Sequence, residues 1–171
     1  MRKLTLADAV KLKSVLSKRI QELEVEMDLT AFVEIEKGTA MPYQVRTLDV
    51  VEKELEEVRG DFRLLDKLMY KANYKNEISF GEQSLTIVEA IELATQLRAQ
   101  ARKYKQYGTS SKEELIHSYS DTITLVKVAT FDPEHYRVKG IETERQANRL
   151  SNAINAKNYQ VELDFDSDKY F

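Results

Sequence analysis

The stretch LTLADAV at Leu4–Val10 returns as LTIVEAI at Leu85–Ile91, and this recurrence decides how the rest of the chain is read. In each copy a threonine is followed three residues later by an acid, Thr5 by Asp8 and Thr86 by Glu89. That is capping-box spacing, in which hydroxyl and carboxylate answer unpaired backbone N–H groups at a helix start. Both segments therefore open helices. After the first cap, Ala9, Leu12, Leu16, Ile20, Leu23 and Met27 recur at threes and fours; after the second, Ala90, Leu93, Leu97, Ala101 and Tyr104 do the same.

A shift of 81 residues aligns Leu4, Thr5, Ala9, Leu12 and Leu16 with identical residues in the second copy. Further on, LLDKLMYKANYKNEISF (Leu64–Phe80) overlies RLSNAINAKNYQVELDF (Arg149–Phe165) with a shift of 85, pairing Asn73-Tyr74 with Asn158-Tyr159 and Phe80 with Phe165. The shifts differ by four, about one helical turn. Each half then reads as helix, connection, helix and extended tail.

In the first connection Phe32–Glu36 has the composition of a strand and Lys37-Gly38 of a turn; in the second, Ile123–Val128 is the β-branched run. The closing helix starts at Asp132-Pro133-Glu134, an N-cap, a first-turn proline and an acid suited to the helix dipole. The clearest pattern is Leu48, Val51, Leu55, Val58, Phe62, Leu65, Met69 and Ala72, a coiled-coil seam open to use within the subunit or between subunits. Its counterpart in the closing helix is more polar: Tyr136, Gly140, Thr143, Ala147, Leu150 and Ile154. The expected fold is mainly α with a small β-ribbon: two pseudo-repeated antiparallel helical hairpins, 4–80 and 85–165, with a tail at 166–171, forming a bundle in one domain over 1–171 with short strands in the connections and tails.

Composition narrows the function classes. The 171 residues carry 26 Lys and Arg against 29 Asp and Glu, a formal charge of -3, so no global field favours nucleic acid or an anionic membrane. There is no cysteine, which removes disulfides, thiolate zinc sites and cysteine nucleophiles. Asp8 and Lys11 interrupt the apolar run that a signal peptide needs after the basic opening MRK. No stretch approaches the roughly 18 apolar residues of a membrane span. A cytoplasmic, non-enzymatic protein without cofactor or metal is expected.

The histidines His117 and His135 have no second histidine at ligand spacing, and the acids beside His135, Asp132 and Glu134, read as either a weak cation site or first-turn caps. Glu52–Glu57 reads as the wet face of the seam helix. Two features suggest binding. RAQARKYKQY (Arg98–Tyr107) interleaves Arg98, Arg102, Lys103 and Lys105 with Tyr104 and Tyr107, which suits an anion pocket with guanidinium groups for phosphate and rings for a base. Cations at a helix end also simply suit its dipole. The repeated joints Asn73-Tyr74 and Asn158-Tyr159 read as helix-terminating asparagines in left-handed or capping geometry, or as amides and hydroxyls recognising a polar ligand.

The order LADAVKLKSVLSKRIQEL, MYKANYKNEISFGEQSLTIVEAI and INAKNYQVELDF resembles the septicolysin-like family of small, largely uncharacterised helical proteins from bacteria and phage. The likeness runs from Leu4 to Phe165; Ala94-Thr95 stands where the family tends to carry Arg-Asp, and Tyr159 where it usually has Trp. The family name implies a membrane-active cytolysin. Taken with the residues, the leading expectation is a homo-oligomeric protein that sequesters a small polar or nucleotide-like ligand, for instance a phage sponge for an immune signal. The alternatives are the cytolysin and a protein-interaction scaffold using the Leu48 to Ala72 seam.

Overall fold

The computed structural model describes residues 3–116 and 123–170, and its backbone is mainly α with three two-stranded antiparallel ribbons. It divides into two compact units, one built from 3–76 with 157–170 and the other from 77–156. His117 lies outside the described residues.

The first unit begins with β1 (Leu4–Thr5) and α1 (Leu6–Thr30), continues through α2 (Leu48–Lys75), and ends with a short strand at Glu162–Leu163. Thr5 is extended, and its hydroxyl accepts from the Asp8 amide at 3.1 Å, which caps α1 as the spacing predicts. Along α1 the period of three and four buries Leu6, Ala9, Leu12, Leu16 and Leu23. The α2 seam answers it with Val51, Leu55, Val58, Leu65 and Ala72 buried and Phe62 half-buried. Ion pairs Lys13–Asp66, Arg19–Glu54 and Arg59–Glu24 fix the helices as an antiparallel hairpin. The Leu48 to Ala72 seam is thus core within one chain.

Between these helices the expected strand Phe32–Glu36 is absent, although the turn forms: Gly38 has φ +91° and the Thr39 amide bonds Glu36 O at 3.0 Å. A strand needs a ladder partner, and the chain returning from the turn carries Pro42, which has no N–H to donate. Arg46 anchors this connection instead, donating to Glu26 and to Glu54. Glu54 is therefore not simply wet: hydrogen bonds from Arg19 first, then Arg46, hold its carboxyl below the ordinary range.

The second unit runs β2 (Glu77–Phe80), β3 (Gln83–Thr86), α3 (Ile87–Gly108), β4 (Glu113–Ile116), β5 (Leu125–Val128) and α4 (Pro133–Gln160). Residues of α4 to Ala156 belong to this unit, and its last turn belongs to the first. Gly81, at φ +61°, turns β2 into β3. The capping box of α3 is complete: Glu89 N bonds the Thr86 hydroxyl at 3.3 Å, and Thr86 N bonds the Glu89 carboxylate at 2.8 Å. α4 is capped by Asp132, whose carboxylate accepts from Glu134 N at 3.0 Å. Helices α3 and α4 are antiparallel, with Lys105 and Glu144 paired at 2.7 Å and Arg98 donating to Ser151. Their buried faces are rich in small residues, Ala90, Ala94 and Ala101 on α3 and Gly140, Thr143 and Ala147 on α4, with Ile87, Leu150 and Ile154 as the larger ones.

The closing strand of the first unit, here β6 (Glu162–Leu163), completes the repeat. β1 pairs with β6, setting Leu4 opposite Leu163 and Thr5 opposite Glu162. β3 pairs with β2, setting Leu85 opposite Ile78 and Thr86 opposite Glu77. These are the same residue pairs under the shifts of 81 and 85. Each tail therefore pairs with the opening strand of the other sequence repeat rather than its own.

The Asn-Tyr joints need correction. α2 and α4 run on to Lys75 and Gln160, so Asn73-Tyr74 and Asn158-Tyr159 lie inside the last turns. No non-glycine residue among those described has positive φ. What ends α2 is Asn76, whose side-chain amide bonds Ala72 O at 2.9 Å. Three residues beyond Asn73, that amide supplies the partner a helix end lacks.

Candidate functional site

On a helix, residues spaced by three and four share a face, so Thr95, Arg98, Arg102 and Lys105 form one stripe along α3. Across from it, α4 contributes Glu144 and Asn148, also one turn apart. Together with Ala101 these residues line a groove of about 400 Å³ within the second unit. Three cations face one carboxylate there. Lys105 is paired with Glu144, Arg98 donates to the Ser151 hydroxyl, and the Thr95 hydroxyl donates to Ile91 O at 3.1 Å. Arg102 has no ion-pair partner among the described residues. A guanidinium presents a planar fork of donors that matches phosphate or carboxylate oxygens, so the stripe has donor groups of the kind that an anion would need.

The tyrosines of the same stretch do something else. Tyr104 and Tyr107 each pack edge-on against Tyr136 of α4, both at 5.5 Å, and Tyr107 also meets Phe131 at 5.1 Å. Lys139 lies 4.6 Å over the Tyr104 ring, and Lys103 lies 5.3 Å over Tyr107. These rings and Lys103 form an aromatic cluster that fastens the end of α3 to the start of α4. Of the six residues expected on α3, the groove takes Arg98, Arg102 and Lys105, and the cluster takes Lys103, Tyr104 and Tyr107.

The remaining expected residues, Asn73, Tyr74, Asn158 and Tyr159, belong to the first unit, whereas every residue lining the groove belongs to the second. Both tyrosines are well exposed, and the buried Oδ1 of Asn158 has no protein hydrogen-bond donor. Glu144 and Asn148 were missed in the sequence. Their one-turn spacing on α4 is visible there, but which face of α3 they meet is not.

At the start of α4, the capping alternative describes the acids. Asp132 caps the helix, and Glu134 binds Arg137 through both oxygens at 2.6 and 2.7 Å, a hydrogen bond that lowers its pKa. No group of three or more His, Asp or Glu among the described residues is placed to hold a metal ion. Nor is any helix among them long and apolar enough to cross a membrane.

No protein-family model matches the chain, and no curated protein matches it. The septicolysin-like resemblance therefore rests on the residues that carry it. Among solved structures, the crystal structure of a functionally unknown conserved protein from Corynebacterium diphtheriae is similar in fold, with a TM-score of 0.60 over 95% of this chain and 99% of that one at 22% identity.

Proposed function

We propose that this protein is a non-enzymatic homo-oligomer that sequesters a small anionic, nucleotide-like ligand in the α3–α4 groove. The observation that carries the reading is the convergence of Arg98, Arg102 and Lys105 on one groove of about 400 Å³, a volume within the range of small-molecule sites. Its lining offers fixed positive charge and an amide, with no nucleophile set beside a base. Assembly is supported by apolar side chains that their own unit leaves in water. All eight residues of β4 and β5 are exposed, and in the connection before α2 Phe32, Tyr43 and Val45 are 87%, 91% and 86% exposed. Patches of this kind mark surfaces used for association.

Calorimetric titration with nucleoside mono- and diphosphates, cyclic nucleotides and inorganic phosphate tests the ligand. Binding weakened at least tenfold by Arg102→Ala, together with a native mass larger than one subunit, is the expected result. A wild-type protein that binds no phosphate-bearing compound, or binds one equally well as Arg102→Ala, refutes the ligand assignment.

A further inference from the structure

The first unit contains a groove that is filled, and the second contains the same groove standing open. In the first, Leu12 and Leu16 of α1 are fully buried, and the chain beyond β6 continues with Phe165 and Ser167 both buried. It is then tied to α2 where Tyr170 donates its hydroxyl to Asp61 and Lys169 pairs with the same carboxylate. The tail alternates strictly, with Val161, Leu163, Phe165 and Ser167 inward and Glu162, Asp164, Asp166 and Asp168 outward.

Under the shifts of 81 and 85, Leu12 and Leu16 correspond to Leu93 and Leu97, Phe165 to Phe80, and Asp61 to Gln146. In the second unit the chain cannot run on past Phe80, because Gly81 turns it back into β3. Leu93, Leu97 and Phe80 are left half-buried, and they line an open groove of about 770 Å³ with Gln146, Arg149 and Ala153 of α4 and with Glu82 and Gln83 of the β2–β3 turn.

The charge on its wall has also changed. Gln146 stands where Asp61 receives the tail's lysine, and Arg149 stands where the first unit has Leu64. No carboxylate lies within ion-pair distance of Arg149 among the described residues. On its α4 wall the vacant groove has thus lost the acid that held a cation and gained a cation of its own, while Glu82 lines it from the β2–β3 turn without pairing to that cation. An apolar floor shaped for an extended segment, beside an unneutralised guanidinium, suits aromatic anchors alternating with carboxylates.

We propose that this groove docks an extended acidic peptide of a partner protein, with apolar side chains on its inward positions and carboxylates on the alternate ones, the pattern of the chain's own Val161–Asp168. The site is separate from the Arg98–Arg102 groove and stands whether or not that groove binds an anion.

Fluorescence anisotropy of a labelled synthetic peptide spanning Glu162–Tyr170, titrated with the full-length protein, tests it. The expected result is saturable binding weakened at least tenfold by Arg149→Glu and by Leu97→Asp, and unchanged by Arg102→Ala. Arg149 is exposed, so its substitution leaves folding intact and keeps the test readable if Leu97→Asp does not fold. Replacing Asp164 and Asp166 of the peptide by asparagine is expected to weaken binding to the wild type and to have little further effect on Arg149→Glu. No binding, or binding indifferent to Arg149→Glu, overturns the proposal. So does displacement of the peptide by dodecanoate with equal dependence on Arg149, which assigns the groove to a small amphipathic anion.

Discussion

The two units share a skeleton and differ in what they spend on it. Where the first packs Leu55, Val58 and Phe62 along α2, the second has Gly140, Thr143 and Ala147 along α4; where α1 has Met27 in its last turns, α3 ends on Gly108. The first unit is a leucine-filled hairpin sealed by its tail. The second keeps Ile87, Leu150 and Ile154 but brings its helix backbones close at glycines, and a Cβ built on Gly108 falls 2.6 Å from Arg137 Cα. The difference teaches that the threonine caps of α1 and α3 and the ladder register survive a large loss of core volume. Cavity and charge can then appear on the surface of the unit that gave the volume up.

The sharpest way to break this comparison is to remove equivalent leucines. Leu16→Ala, at a fully buried site, is expected to lower unfolding free energy by about 3 kcal/mol, whereas Leu97→Ala on the half-buried groove floor is expected to lower it by only about 1 kcal/mol. Urea titration of the two variants decides it; equal losses would mean that the second groove is as tightly sealed as the first.

Next in size is Gly108→Ala. Alanine ordinarily favours a helix over glycine by up to about 1 kcal/mol. Here the added carbon would sit 2.6 and 2.7 Å from the Arg137 backbone, which cannot swing away as a side-chain end would. Overpacking is expected to win, with a net loss of about 2 kcal/mol in the same titration. A stabilised variant would show that the close approach is not obligatory.

The smallest effect concerns the seal itself. Burial pushes the Asp61 carboxyl up, but hydrogen bonds from Lys169 and Tyr170 outweigh it and leave the pKa below the ordinary 3.8. Burial, then the Asp61 hydrogen bond, push the Tyr170 hydroxyl above its ordinary 10.0. A lowered acid contributes stability above its unfolded value and loses it as pH falls; a raised phenol contributes below its unfolded value and loses it as pH rises. Hydrogen-exchange protection of residues 166–170 is therefore expected to hold between about pH 4 and pH 10 and to fade on both sides. Asp61→Asn should remove the acid limb and Tyr170→Phe the alkaline one. Protection unchanged by both variants would detach the tail from this pair.

What was legible in the sequence was local. Thr5, Thr86 and Asp132 announce their helices because a cap is a contact between residues two or three apart, and the Leu48 to Ala72 seam announces a buried face by its period. The strand at Phe32–Glu36 misled because β composition is a preference for a pleated surface that must be supplied by a partner, and Pro42 weakens the nearest candidate. Asn73 misled because helix termination was settled by Asn76, one turn later. The charged half of the candidate site, Arg98 and Arg102, could be read from spacing. Its other wall, Glu144 and Asn148, depends on how α3 and α4, separated by residues 109–132, are docked, and no local pattern records that.

The two equivalent ladders also differ in time. Ile78 and Leu85 are seven residues apart and meet through a single glycine turn, whereas Leu4 and Leu163 are 159 apart. Chain-closure entropy makes the longer loop costlier by about 3 kcal/mol. β2–β3 can therefore form as soon as its own residues leave the ribosome. β1 stays without its partner until Leu163, 159 residues later, has emerged, so the same pair of strands serves as an early nucleus in one unit and as a late latch in the other.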